Sequence, residues 1–331
     1  MSEPLQVGVI GTGHLGSLHA KFLAKAPGSR LVGVYDIEPE RAAVVAREYG
    51  TRQFDSVEDL VAACDAVSIA TPTSTHAVVA RIPLSAGRPV FIEKPIASTV
   101  EEADEIIDLA RRNGVHVMVG HIERFNPAIL ALGNIDLNPL FVESHRLAQF
   151  DPRGTDVAVV LDLMIHDIDL ILSLVRSPIA HIHANGVAVV SETIDIANAR
   201  IEFENGCVAN VTSSRISQRK MRKMRLFQRD AYISIDLSQG LTEIFRLVDQ
   251  LPPSEHPTVL LGQIERGAVK RNVVYERPEQ KEVNSLQYEM EQFVASVREH
   301  RRPPVTAEDA RAALAVAQEI IEKIGQQKLP A

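Results

Sequence analysis

Cysteine is scarce in this 331-residue chain: Cys64 and Cys207 lie far apart and outside any CxxC or Cys/His spacing. That argues against a disulfide framework and a structural metal, fits a reducing compartment, and leaves both thiols as small buried hydrophobes. Long apolar runs are missing too. No window reaches 18 uninterrupted apolar residues, and the opening MSEPLQVGVIG lacks a basic stretch followed by an apolar core. Neither a membrane span nor an export signal is therefore expected, and the expected location is cytoplasmic. Positive charge is in deficit, with 35 Lys+Arg against 43 Asp+Glu and a formal charge of −8. Such a balance offers no general electrostatic basis for binding nucleic acid. Repeats and low-complexity tracts are absent as well. What is present is the composition of a soluble globular protein, 45% apolar and 24% charged, in a chain long enough for two domains.

The first 120 residues alternate short apolar runs, LQVGVIG, LVGVYD, DAVSIATP, VFIEKP and VHVMVGH, with amphipathic segments. This rhythm predicts a parallel sheet covered by helices on both faces. The first strand ends in Gly11-Thr12-Gly13-His14-Leu15-Gly16, a G-x-G-x-x-G between strand and helix, and Asp36 ends the next strand twenty residues later. In that context the pattern predicts a dinucleotide cradle. Gly11 permits the tight turn, Gly13 admits a pyrophosphate close to the backbone, and Gly16 lets helix and strand pack; N–H groups near His14 and Leu15 face the phosphates. Asp36 would accept from the adenosine ribose hydroxyls and repel a 2′-phosphate, favouring NAD over NADP, or cap the following helix, or do both.

Ligands of open α/β sheets sit beyond the carboxyl ends of the strands. Thr71, Thr73 and His76, after the fourth strand, are thus candidates to border the cofactor, and Glu93, closing the fifth, joins them. Lys94 follows Glu93, at the crevice where a nicotinamide would lie, with Pro95 fixing the backbone beyond it.

After residue 121 the texture changes to strand-like stretches with hairpin signals, among them Asn205-Gly206, read as a type I′ turn. Helices are expected at about 157–175, 285–299 and 306–325, and residues 250–270, with Pro-Pro and glycines, read as a long surface loop. The first of these helices contains VVLDLMIHDIDLIL, where Asp162, His166 and Asp169 recur four and then three positions apart, hence on one face. That stripe is either a wet face or the lining of a catalytic cavity. Arg124 and Asn126 in ERFNP are candidate substrate ligands, although an ordinary helix start explains Asn126 as well. Seven basic residues between Arg215 and Arg229 read as a charged sheet face or as a diphosphate site.

The strings VGVIGTGHLGSLHA, VSIATPTSTH, VFIEKPIASTVEEADEII, VGHIERFNP and LDLMIHDIDL resemble successive motifs of the Gfo/Idh/MocA oxidoreductases over almost the whole chain. The resemblance implies an α/β Rossmann domain, placed at 1–121, and an α+β C-terminal domain with a large, mostly antiparallel open sheet, placed at 122–331, with the closing helices able to pack back on the first. It implies NAD as cofactor, Lys94 as the catalytic lysine, and Asp162 with His166 as the Asp-x-x-x-His pair of the second domain. It implies a homodimer or homotetramer through the open sheet. Val160, Leu161 and Met164 depart from the glycines that many members carry around the pair. GHIERFNP with VVLDLMIHDIDL is similar to the subgroup that oxidises C3 of UDP-N-acetylglucosamine on the way to 2,3-diamino sugars of lipid A. A sugar or nucleotide sugar is then the expected small-molecule substrate. His166 is expected to act as general base, Asp162 to orient it or the substrate, and Lys94 to stabilise the reacting oxygen or take the proton itself. A free sugar or inositol dehydrogenase and a non-catalytic NAD-sensing regulator are the competing expectations.

Overall fold

Short strands, most of them rich in valine and isoleucine, alternate with helices to build the first part of the molecule. In the computed structural model, which describes residues 3–133, 135–152, 155, 157–250, 258–266 and 269–326, the chain forms two compact units. One comprises residues 1–125 and 283–315, the other residues 126–282 and 316–331.

In the first unit the order is β1 (Leu5–Ile10), α1 (His14–Leu23), β2 (Ser29–Tyr35), α2 (Pro39–Glu48), β3 (Arg52–Gln53), α3 (Val57–Ala62), β4 (Ala66–Ile69), α4 (His76–Ser85), β5 (Val90–Glu93), α5 (Val100–Arg112) and β6 (Val117–Gly120). All six strands are parallel, in spatial order β3-β2-β1-β4-β5-β6. Every residue of β4, β5 and β6 is buried, as expected for strands covered on both faces. The order reverses between β1 and β4, so the connections at the carboxyl ends of these two strands diverge and leave a crevice.

The second unit contains α6 (Pro127–Leu130), β7 (Phe141–Leu147), a π-helical turn (Val160–Met164) that runs into α7 (Ile165–Val175), and β8 (Ile179–Val187), β9 (Ile196–Phe203), β10 (Val208–Ser214), β11 (Met221–Phe227), β12 (Ala231–Asp236), β13 (Leu241–Val248), β14 (Thr258–Arg266) and β15 (Val269–Glu276). Its nine-stranded sheet has the order β14-β15-β13-β12-β11-β7-β10-β9-β8. Among the described residues only the β7–β10 pair is parallel. Strand residues alternate: Val142, Ala199, Ile201, Val211, Met224 and Ile233 point into the core, and their neighbours along each strand face the other way. On that outer face Phe141, Phe227, Tyr232, Phe245 and Tyr275 stand in cross-strand register, with successive ring centroids 5.9, 5.0, 5.6 and 5.3 Å apart. Helices α8 (Ser285–Arg298) and α9 (Ala307–Gly325) close the chain; α8 belongs to the first unit, where Phe293 packs edge-on against Phe91 of β5.

Three local expectations change. Residues 250–270 are not a loop throughout: Thr258–Arg266 pairs antiparallel with β15, while residues 251–257 and 267–268 lie outside those described. The Pro-Pro and glycine punctuation obscures a run, TVLLGQI, whose apolar residues suit a strand once a partner supplies the ladder. The Asn205-Gly206 turn is not type I′, which needs positive φ at both central residues. Gly206 alone has it, at 85°, and the Asn205 side chain accepts the Cys207 N–H at 3.0 Å. Finally, the helix expected from 157 opens with the π turn, which holds one residue more than an α turn and shifts the phase of the residues beyond it.

That shift and the sheet beneath sort the acids of the helix. Asp167 is 1% exposed and meets Arg146 of β7, whose Nε donates at 2.6 Å and Nη2 at 3.3 Å, while Ser144 Oγ donates at 2.9 Å. Arginine's fork and the serine supply the hydrogen bonds without which a buried carboxylate would not be tolerated. Asp169 is also 1% exposed, whereas Asp162 and His166, which share its face by spacing, both remain half-buried.

Candidate active site

Helix α1 begins at His14 with Gly13 as N-cap, no side-chain cap and no acid in its first turn. Its leading N–H groups are thus left for an anion, the arrangement a pyrophosphate requires. Gly11 holds φ of 88°, and a Cβ there would lie 2.8 Å from Ala70 O; a Cβ on Gly13 would meet nothing within 4 Å. These residues, with His14, Leu15, Asp36 and Thr71, line a cavity of about 700 Å³.

Asp36, just after β2, accepts from Thr12 N at 2.6 Å and Thr12 Oγ1 at 2.9 Å on Oδ2, and from Glu38 N at 2.9 Å on Oδ1. Burial opposes its ionisation, but the Glu38 and Thr12 hydrogen bonds outweigh that and hold the carboxyl below its ordinary range. A carboxylate has about four acceptor sites, so Oδ1 retains one for a ribose hydroxyl. The cap of α2 is Glu38 rather than Asp36, which makes an Asx turn instead. Thr12 is buried beneath the turn, tethering Asp36 rather than lining the cavity. The wall is completed by residues that motif reading passes over: Thr75, whose hydroxyl donates to Thr71 Oγ1 at 2.9 Å, and Ile37, an isoleucine 86% exposed beside Asp36. An apolar side chain exposed to that degree, beside a carboxylate with an acceptor site to spare, would suit the flat face of a base.

Glycine, amide and carboxylate therefore fit the adenosine diphosphate half of NAD. Asp36→Ser is expected to weaken NAD binding by about tenfold to a hundredfold, the value of charge-assisted hydrogen bonds worth roughly 1.5–3 kcal/mol, and to narrow the preference over NADP. Fluorescence titration with both dinucleotides reads this, and unchanged affinities would contradict the assignment.

Thr73 opens the short 3-10 turn Thr73–Thr75, half-buried and away from the cavity wall. His76 is a brace rather than a border. Fully buried, it sets Nδ1 2.9 Å from Pro95 O and Nε2 2.9 Å from Thr71 O, tying the ends of β4 and β5 together. Burial pushes its pKa down against the pull of these carbonyls, so the ring donates to one of them at a time. Glu93 also turns inward. Its Oε1 lies 2.9 Å from His19 Nε2, His19 Nδ1 lies 2.8 Å from Ser68 Oγ, and its Oε2 accepts from Lys94 N at 3.2 Å. Burial opposes its ionisation, yet His19 and then Lys94 hold Glu93 below the ordinary carboxylate value. His19, three residues after Gly16, carries no signal of this role in the sequence. Its partner is 74 positions away, which no local pattern reveals.

Lys94 is half-buried at the end of β5, and its bond to Pro95 is cis. Arg124 is half-buried on the 3-10 turn Ile122–Phe125. Asn126 serves as the N-cap of α6, Oδ1 accepting from Ala128 N at 3.0 Å and Nδ2 donating to Leu237 O at 2.9 Å, which occupies it structurally. In the second unit Asp162 sits within the π turn and His166 one residue into α7. π turns recur at functional sites. Of the basic stretch, Arg215 is buried against Asp195 and is not an open phosphate ligand, whereas Lys223 and Arg225 stay partly exposed on the sheet, paired with Asp236 and Glu143 at 3.2 Å each. Burial pushes the Cys64 thiol up to about 12 and the Cys207 thiol to about 11, so neither is a nucleophile. Among the described residues no cluster of three or more His, Cys, Asp or Glu could hold a metal ion, and no helix is long and apolar enough to cross a membrane.

Residues 5–121 match the oxidoreductase family with an NAD-binding Rossmann fold, GFO_IDH_MocA, and residues 140–236 match the C-terminal domain of the same family. The chain is 44% identical over 242 residues, 73% of its length and 77% of the relative's, to a UDP-N-acetylglucosamine 3-dehydrogenase of Acidithiobacillus ferrooxidans. It is 31% identical over 238 residues, 66% of this chain and 69% of the relative, to an NAD-dependent scyllo-inositol 2-dehydrogenase of Bacillus subtilis. A solved structure of the Acidithiobacillus ferrooxidans UDP-N-acetylglucosamine 3-dehydrogenase superposes with a TM-score of 0.86, covering 98% of both chains at 37% identity.

Proposed function

We propose that this chain, which belongs to the Gfo/Idh/MocA oxidoreductase family and is an NAD-dependent oxidoreductase, oxidises a secondary hydroxyl of a nucleotide-linked sugar, the C3 hydroxyl of UDP-N-acetylglucosamine. The observation that carries this substrate is the likeness, along 98% of both chains, to a solved dehydrogenase of that sugar nucleotide. The 3-keto product would be an electrophile suited to transamination, the class of reaction that a 2,3-diamino sugar requires.

NAD, held by the turn at residues 11–16 and by Asp36, would supply the acceptor for the hydride of the carbinol carbon. The hydroxyl proton must leave in step with it, and an imidazole is an efficient acceptor because it titrates near neutrality. We assign that proton to His166. Asp162, one turn earlier, orients the imidazole or the substrate. Lys94 donates a hydrogen bond to the reacting oxygen and stabilises the negative charge that develops there. Glu93, fixed by His19, accepts the Lys94 N–H and so holds the end of β5 from which the lysine projects. Arg124 is assigned to the substrate's anionic or hydroxyl groups. Asn126 is not, being used as a helix cap.

The test is NADH formation by the purified protein with NAD and UDP-N-acetylglucosamine, beside free N-acetylglucosamine and myo-inositol, with the product mass measured in each. A two-dalton loss confined to the UDP sugar supports the reading. Turnover of inositol alone would favour the second reading, that of a polyol dehydrogenase, for which the scyllo-inositol relative speaks.

The enzyme is further proposed to form a homodimer or homotetramer through the open sheet, in the cytoplasm. The aromatic row across five strands is the supporting feature, with Phe227 37% exposed. Apolar rows of this kind are costly to leave in water. Phe227→Glu combined with Tyr232→Glu is expected to halve the mass seen by light scattering; an unchanged mass would refute this interface.

A further inference from the structure

We propose that Asp195, Arg215 and Thr193 are positioning residues for catalysis: together they hold the backbone of Thr155 and of Val157 to Val159, from which the turn bearing Asp162 and His166 is launched. The inference rests on the reading of Asp162 and His166 as catalytic.

The π turn has no side-chain cap where it starts. Something else must fix its origin, and a buried knot of hydrogen bonds does so. Asp195, fully buried just ahead of β9, accepts on Oδ2 from the backbone N–H groups of Val189, Val190 and Ser191 at 2.8, 2.7 and 2.9 Å. On Oδ1 it accepts from Ser191 Oγ at 2.6 Å and from Arg215 Nε at 2.9 Å. With five donors converging, its carboxyl stays far below the ordinary range although burial opposes ionisation. Arg215, only 4% exposed and one residue beyond β10, spends its other donors on the launching segment and its neighbours. Nη1 reaches Val157 O at 2.9 Å, and Nη2 reaches Thr193 Oγ1 at 2.6 Å and Ile194 O at 3.0 Å. The Thr193 hydroxyl in turn lies 2.9 Å from Thr155 O and 3.1 Å from Val157 O.

The same loop also takes the segment's donor, since Val159 N–H bonds to Ile194 O at 2.9 Å. From there the chain enters the helix directly: Leu161 N and Asp162 N both bond to Ala158 O, at 3.0 and 3.2 Å. Both carbonyls and the amide on which the turn's placement depends are thus referred to one buried charge pair. An ion pair serving only the core would need none of these bonds to an irregular segment. A guanidinium is suited to the task because its planar fork serves several acceptors at fixed angles, which an ammonium cannot.

The experiment uses the full-length enzyme with NAD and UDP-N-acetylglucosamine. Thr193→Val keeps the shape and the Asp195–Arg215 pair but removes the hydroxyl that reaches Thr155 O and Val157 O. Thr193→Ser restores it, and Arg215→Lys keeps the charge without the fork. Thr193→Val is expected to lower kcat by about tenfold to a hundredfold with KM for NAD within about twofold, because small misplacements of reacting groups are costly. Thr193→Ser should recover most of the loss. The His166 imidazole signals in NMR spectra, assigned by their disappearance in His166→Gln, should shift in Thr193→Val and return in Thr193→Ser. Wild-type kcat and an unmoved His166 signal in a folded Thr193→Val would overturn the proposal, and the same result in Arg215→Lys decides it if Thr193→Val fails to fold. Turnover surviving in His166→Gln would instead defeat the catalytic reading, and the NMR signal would still report whether the knot positions His166.

Discussion

His166→Ala is expected to lower kcat by about 10²- to 10⁴-fold, the usual contribution of a positioned general base, while the NAD dissociation constant stays within about twofold. The separation arises from where the residues sit. His166 lies in α7 of the second unit, whereas the cavity assigned to the adenosine diphosphate is built from β1, α1, β2 and β4 of the first, with the turns at their ends. Lys94→Ala should give a loss of similar size, since it would remove the donor assigned to the developing alkoxide. The double variant is expected to be little slower than the worse single one, because groups acting on one proton transfer operate as a unit. Stopped-flow NADH formation with parallel NAD titration measures all three. Unchanged turnover in both single variants would remove these residues from the mechanism, and a collapse of NAD affinity in His166→Ala would mean that the helix also shapes the dinucleotide site.

Gly16→Ala is expected to reduce NAD affinity by more than about a hundredfold, equivalent to roughly 2.7 kcal/mol. A Cβ at position 16 would lie 1.8 Å from Gly11 O and 2.7 Å from Gly11 C, so the obstacle is backbone and no side-chain rotation relieves it. Either the glycine turn opens or α1 moves away. The helix is not free to move, because His19, one turn on, is bound to Ser68 of β4 and Glu93 of β5. Movement that did occur would disturb the residue that anchors Lys94 N–H, so kcat should fall at saturating NAD as well. Gly13→Ala provides the contrast. Its Cβ meets nothing in the protein, so it should fold as the wild type does and yet bind NAD more weakly, since the methyl would occupy the wall of the cavity. Isothermal titration with thermal unfolding separates the two cases. A Gly16→Ala protein with wild-type affinity and melting temperature would show that the turn is slacker than these distances indicate.

Much of the first unit is legible in the chain because its determinants are local. Gly11, Gly13 and Gly16 announce the turn through their spacing together with the strand before them and the helix after, and Gly11 and Gly16 stand where a Cβ would strike backbone. An acid just after the second strand is marked by its place, and it lines the cavity, held there by Thr12 and Glu38. Four-residue strands buried on both faces read as apolar runs. Asp162 and His166 are likewise marked by spacing, polar residues four positions apart in an otherwise apolar helix.

The remainder depends on partners distant in sequence. Periodicity cannot tell which acid of a helix meets an arginine on an earlier strand; it is Arg146 of β7 that commits Asp167 to the scaffold. Charge counting leaves Arg215 in a basic run open to phosphate, but the fold buries it against Asp195. Position after strand ends assigns His76 and Glu93 to the cofactor border. Their side chains turn inward because Thr71 O, Pro95 O and His19 offer partners that water would otherwise replace. Family, nucleotide cradle and the identity of the chemical groups are thus written in the chain itself, since they rest on residue type and short-range backbone geometry. Which polar side chains face a cavity and which are used to hold the scaffold is settled in three dimensions, because a buried charge or hydrogen-bonding group is committed by the partner that folding brings to it.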